Sequence, residues 1–189
     1  MSAAPNTGGA TPFLVTERLE LWQPVVSDLA EMHALSDDQE TRRFLGPDPE
    51  CMADSFARLM RTGGTWQFYG YGNLMLRFRS SPEIVGNCGV FHSWRGFGRG
   101  MDDVAEAGWI VSRAYWGQGL AGEAMRAILA WFEETHGPQR ITCMIEDGHT
   151  VSDRLARRLG FRPYGRHRLA EDEASLVFYE RLAKMSGTV

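Results

Sequence analysis

The segment Trp116-Gly117-Gln118-Gly119-Leu120-Ala121-Gly122 constrains this chain more than any other. It follows a run, Val104 to Val111, that reads as a strand. It opens the stretch Leu120 to Thr135, where Leu120, Ala124, Ala127, Ile128 and Trp131 form one helical stripe. Gly137-Pro138 ends that helix. Glycines between a strand and a helix let backbone amides approach a ligand closely. The helix N-terminus adds unpaired N–H groups and the positive end of the dipole. The segment is therefore shaped for phosphate, with a plain strand-to-helix turn as the alternative.

Gly117, Gly119 and Gly122 also satisfy G-x-G-x-x-G, and Glu146 stands where a ribose-binding acid would follow. Three facts count against a dinucleotide fold. Five residues, Ser112 to Trp116, separate the strand from the first glycine, whereas that fingerprint turns at once. Only 43 residues follow Glu146, too few for the remaining strand–helix–strand units. They hold one helix and two strands rather than an alternation.

The rest of the chain reads as follows. Phe13 to Gln23 is a strand ended by Pro24, and a helix starts at Ser27-Asp28 with Leu29, Met32, His33 and Leu35 on one side. Cys51 to Thr62 is a second helix, stopped by Gly63-Gly64. Asn73 to Arg79 and Ile84 to Phe91 are strands of a hairpin, and His92 to Asp103 is a glycine-rich loop. Arg140 to Ile145 is a strand. Val151 to Leu159 is a helix with Val151, Leu155 and Leu159 inward. Phe161 to Arg168 and Ala174 to Leu182 are two final strands. No repeat or linker interrupts this order. The expectation is a loose tail over residues 1–12 and one α/β domain over 13–189.

Composition removes several classes. The net charge is -4 and 43% of the 189 residues are hydrophobic, so neither a nucleic-acid binder nor a disordered chain is expected. The longest apolar run, Ala127 to Phe132, is far below the ~18 residues of a membrane span. Residues 1–12 have no basic start and no apolar stretch, so they are not a signal peptide. Cys51, Cys88 and Cys143 form no C-x-x-C, and the last two sit in apolar runs as core residues. A reducing, cytoplasmic setting is the expectation.

The glycine segment resembles the phosphate loop of the GNAT superfamily of acetyl-CoA-dependent N-acetyltransferases, Arg/Gln-x-x-Gly-x-Gly/Ala. Trp116 takes the first position, with Gly119 and Ala121 after it. The longer string Glu106-Ala107-Gly108-Trp109 … Tyr115 to Ala124 looks like the Rim-type branch, the ribosomal-protein N-terminal acetyltransferases and their relatives, where Trp is usual at that point. Thr16-Glu17-Arg18-Leu19-Glu20-Leu21 resembles that branch's first strand. Ser152 and Gly160-Phe161 match a second signature, Asn-x-x-Ser before a helix ending in Gly-Phe, with His149 in place of Asn. The likeness spans about residues 13 to 182.

The resemblance implies a single α/β (α+β) domain with a mixed, mostly antiparallel sheet and a splayed parallel strand pair, flanked by helices. Val104–Val111 would diverge from Arg140–Ile145. Pantetheine would lie in the gap and pair with Ile110, Val111 and Ser112, with Trp116 and His149 also at the cofactor. The amides of Gly117, Gln118, Gly119, Leu120, Ala121 and Gly122 would hold the pyrophosphate. No metal is implied, and the five histidines show no ligand spacing. Acetyl would pass to a primary amine, on a protein N-terminus or a small molecule, in a monomer or homodimer. A non-catalytic CoA-binding sensor is the alternative.

Glu106 lies among Val104, Ala105, Ala107 and Gly108, where a carboxylate must be paired or solvated. It is a base for the amine or a structural acid. Glu171, beside Asp172 and Glu173, is a second candidate base or a solvated acidic turn. Ser152 either protonates the departing thiolate or caps its helix. Ala156 occupies the point where many GNAT enzymes carry a tyrosine acid.

Overall fold

The computed structural model describes residues 11–43, 51–168 and 175–183. Residues 1–10 of the expected tail, and Glu171, lie outside them. Eight strands form one sheet in the order β1-β2-β3-β4-β5-β6-β8-β7. They are β1 (Leu14–Val15), β2 (Leu19–Trp22), β3 (Asn73–Phe78), β4 (Ile84–Trp94), β5 (Asp102–Val111), β6 (Ile141–Glu146), β7 (Arg162–Arg168) and β8 (Ser175–Arg181). Every pairing is antiparallel except β5 with β6. The helices are α1 (Leu29–Asp37), α2 (Gln39–Arg42), α3 (Met52–Tyr69), α4 (Leu120–His136) and α5 (Thr150–Arg158).

Alternation along the strands divides the core. Val90, Ala105, Ala107, Ile141 and Cys143 belong to the main cluster with Leu120, Ala124, Ile128 and Phe132 of α4 and Ala156 of α5. Met75 and Ile84 instead pack with Met32 of α1 and Leu59 of α3 in a smaller cluster. Cys88 and Cys143 are buried free thiols, as their apolar runs imply. Burial pushes the Cys88 thiol up to about 12.

Four boundaries differ from the sequence reading. Phe13 to Gln23 is a hairpin rather than one strand: Leu14 pairs with Leu21, and Thr16 N–H donates to the Leu19 carbonyl. Helix α3 runs through Gly63-Gly64 to Tyr69. Each helical glycine costs ~1 kcal/mol, but Trp66 beyond them packs edge-on to Phe13, sits beside Trp131, and donates its indole N–H to the Asn73 carbonyl. That tertiary packing carries the helix to Gly70, whose φ of 76° ends it. Strands β4 and β5 extend into the supposed loop, leaving residues 95–101 as the connection. Asp102 closes it by accepting from the Gly96 and Gly98 amides.

The buried face of α5 is turned by one residue from Val151/Leu155/Leu159. Ser152, Ala156 and Leu159 are buried, whereas Val151 is 66% exposed. The small Ser152 and Ala156 allow the helix to approach the sheet closely. Arg154, Arg157 and Arg158 lie on the solvent side.

Candidate active site

Strand β5 pairs with β6 at two positions only, Ala105 with Ile141 and Glu106 with Thr142. Beyond them β6 continues beside β8 as far as Glu146, and β5 continues beside β4 as far as Val111. The two strands therefore part and leave a wedge-shaped gap with Glu106 at its apex.

Backbone direction shows which groups face that gap. In a regular strand successive residues turn their N–H and C=O to opposite neighbours. Ser112 N–H donates to the Val85 carbonyl, on the β4 side, and the Ser112 carbonyl accepts from Tyr115. The Ala105 carbonyl faces β6, where it accepts from the Thr142 hydroxyl. Trp109 and Val111 share the direction of Ala105, while Ile110 and Ser112 turn toward β4. Of the three residues expected to pair with pantetheine, Val111 turns its backbone toward the gap, as Trp109 does. The Val111 carbonyl is already held by the Trp116 indole N–H at 2.7 Å. Trp116 spends its polar group on pinning the turn to the strand end.

The turn itself is built for close approach. Gly117 and Gly119 have φ of 75° and 77°, where a side chain is strained, and a Cβ on Gly117 would meet nothing within 4 Å. No side chain caps α4, whose N-cap is Gly119. Its first amides therefore point out without an intrahelical acceptor. Gly122 serves packing: a Cβ there would press on Leu155 of α5 and on Arg126 at 3.4 Å.

At the α5 N-terminus, Ser152 Oγ accepts from the Trp109 indole N–H at 3.3 Å and lies 3.4 Å from His149 Nε2. Trp109 thus bridges β5 to α5. Burial lowers the His149 pKa below its ordinary 6.5, so the ring is neutral at pH 7. Its folded pKa is depressed, so its contribution to stability is fully present above about 6.5, the unfolded value, and is lost as pH falls below that through the lower folded pKa. Asn at position 149 should flatten that part of the melting profile. If His149 serves the cofactor as a hydrogen-bonding group, His149→Asn should keep most activity and His149→Ala should lose more. Equal activity in all three proteins would leave it a helix-entry residue with no cofactor role.

Glu106 is 2% exposed and lies on the sheet face opposite α4. Its Oε2 accepts from Ser93 Oγ at 2.6 Å and Arg95 Nε at 2.8 Å, and its Oε1 accepts from Arg95 Nη2 at 2.7 Å. A carboxylate offers about four acceptor positions. Three are used, which leaves one on Oε1. The paired reading of this acid therefore holds. Ser93, Arg95 and Trp109 are the residues that sequence reasoning missed. Phe91, Ser93 and Arg95 alternate onto one face, a signal hidden by ending β4 at Phe91.

The described residues include no three His, Cys, Asp or Glu side chains that could hold a metal ion. No helix among them is long and apolar enough to cross a membrane. A cleft of about 680 Å3 lies between α5 and β7 and is also lined by Glu146 at the β6 end and by His149. Two of its arginines are paired within it, Arg157 with Asp153 and Arg166 with Asp147.

A sheet parted at its parallel pair, with glycine amides at the open end and a buried carboxylate at the apex, defines a CoA-type acyltransferase scaffold. The chain belongs to the GNAT acetyltransferase family, whose domain profile matches residues 18–162. Acetyl-CoA is the donor in this family. The chain is 24% identical to p20 of Bacillus licheniformis, an uncharacterized N-acetyltransferase, over 80% of this chain and 83% of that one. A Bordetella pertussis structure assigned to the same family superimposes with a TM-score of 0.79 at 35% identity, covering 89% of this chain and 98% of that one. A Salmonella typhimurium acetyltransferase that modifies the N-terminal serine of ribosomal protein L7/L12 has the same fold. Its TM-score is 0.71 at 17% identity, over 90% and 98% of the two chains.

Proposed function

We propose that residues 13–189 form one catalytic unit that moves acetyl from acetyl-CoA to an α-amine by direct attack. The observation that carries this reading is the meeting of the uncapped α4 N-terminus with the open end of the β5–β6 gap. Pyrophosphate rests on the Gly117–Gly122 amides. Pantetheine lies along Trp109 and Val111. The thioester then reaches toward Glu106.

The acceptor nitrogen must be neutral to attack the thioester carbon. As the C–N bond forms and the C–S bond breaks, the nitrogen sheds one proton and the thiolate gains one. Glu106 Oε1 takes the extra proton of an acceptor that arrives as an ammonium, directly or through one water, while Ser93 and Arg95 hold the carboxylate in place. Ser152 donates a hydrogen bond to the sulfur, with neutral His149 beside its hydroxyl, and the proton shed by the nitrogen reaches the thiolate through solvent. An α-amine has a pKa of about 7.7–8 and a lysine amine about 10.4, so only the first is substantially neutral near pH 7.5. A single base with one free acceptor position suits the first. The Salmonella enzyme's N-terminal serine substrate supports the same class. The free thiols at Cys88 and Cys143 support a cytoplasmic setting.

The phosphate assignment has a direct test. Asp tolerates positive φ better than most residues, so Gly119→Asp should fold and put a carboxylate beside the pyrophosphate. Acetyl-CoA affinity should fall at least tenfold, about 1.4 kcal/mol. Gly119→Asn has the same shape without the charge and should lose less. Unchanged calorimetric affinity in folded Gly119→Asp would remove the assignment.

A further inference from the structure

We infer that Arg18, in the β1–β2 turn, is a positioning residue for the cofactor pyrophosphate. It acts by clamping Glu123 and the Gln118 carbonyl away from the anion site. The inference rests on the phosphate assignment of Gly117–Gly122. Glu123 lies in the first turn of α4, on the helix end that would receive the anion. A carboxylate there is attracted by the same amides and dipole that attract phosphate, and so competes with it.

The hairpin turn removes that competitor. Glu123 Oε1 accepts from the Thr16 hydroxyl at 2.6 Å and the Arg18 amide at 2.9 Å. Glu123 Oε2 accepts from Arg18 Nε and Nη2, both at 2.7 Å. Burial raises the Glu123 pKa, but the Thr16 and Arg18 bonds outweigh it and hold the carboxyl below its usual value. The acid is charged at neutral pH and cancelled by its arginine. The other arm of the fork, Nη1, donates to the Gln118 carbonyl at 3.0 Å. That bond commits the carbonyl to the hairpin. The next residue, Gly119, takes its positive φ, and its Cβ position lies 3.9 Å from Arg18 Nη2. One guanidinium thus fixes both the charge and the shape of the turn, from a position 100 residues earlier.

Lysine cannot replace this fork, because an ammonium is a point charge without the planar two-armed geometry. Methionine keeps the stem and leaves Glu123 uncompensated beside the pyrophosphate.

The test compares two donors. Acetyl-CoA carries the pyrophosphate and acetylpantetheine does not. In Arg18→Met, the calorimetric Kd for acetyl-CoA should rise about fivefold or more, while kcat/KM with acetylpantetheine stays within about twofold. A change of less than about twofold in the acetyl-CoA Kd overturns the inference, as does an equal loss with both donors, which marks a purely structural role. If Arg18→Met does not fold, Arg18→Lys is judged by the same two criteria. Gly119→Asp separates the underlying reading. If it binds acetyl-CoA normally, the phosphate assignment falls. If it binds weakly while Arg18→Met binds normally, only the positioning role falls.

Discussion

Glu106→Gln should leave acetyl-CoA affinity unchanged and lower kcat by about 10²-fold or more, the usual scale for loss of a general base. Gln keeps the shape and the acceptor toward Arg95 but takes no proton from the amine. The loss should shrink as pH approaches the acceptor's own pKa, because the amine then arrives already neutral. A structural acid behaves differently. Loss of the Arg95 pair lowers the melting temperature in either case, but with a structural acid the molecules still folded would turn over at nearly the parent rate. Rate–pH profiles beside melting curves separate the two. A loss of less than about threefold at pH 7 would sink the base assignment and move attention to Glu171.

Arg95→Met should be the most destabilising single change at the site. Arg95 supplies two of the three bonds to a carboxylate that is 3% exposed. Removing one partner of a buried pair costs about 3–5 kcal/mol because the other charge stays buried. The Arg95 side chain is itself 33% exposed, which solvent screening discounts, so about 3 kcal/mol is expected. Arg95→Met combined with Glu106→Gln should recover part of that loss, since no uncompensated charge remains. Chemical denaturation measures both. A single-variant loss below about 1 kcal/mol would mean the pair contributes no more than a surface contact.

The parts of the site legible in the sequence are those made by near neighbours. Glycines before an apolar helical stripe announce the tight strand-to-helix turn, where Gly117 and Gly119 take positive φ. Short strands and element order announce the sheet, and the likeness to GNAT enzymes supplies the parted parallel pair. The unread parts join distant residues. Arg18 meets Glu123 across 105 positions and Trp109 meets Ser152 across 43, and no local period encodes either contact. Helix α3 was misread for the same reason: the glycine pair is a local stop signal, and Trp66 overrides it through contacts with Phe13 and Trp131. The direction of the Ser112 amide, which donates to the Val85 carbonyl, follows only from the register against β4. The residue type carries no such information.

The central claim is that this gap turns over acetyl-CoA rather than merely holding it. Thiol release from acetyl-CoA, followed at pH 7.5 across peptides with free N-termini, free amino acids, polyamines and N-acetylated controls, tests that most directly. The account predicts amine-dependent release that is greatest with α-amines, absent with the blocked controls, and abolished or strongly reduced in Gly119→Asp. Acetyl-CoA binding without amine-dependent thiol release from any acceptor would contradict it, and would make the chain a CoA-binding module that uses the same gap without chemistry.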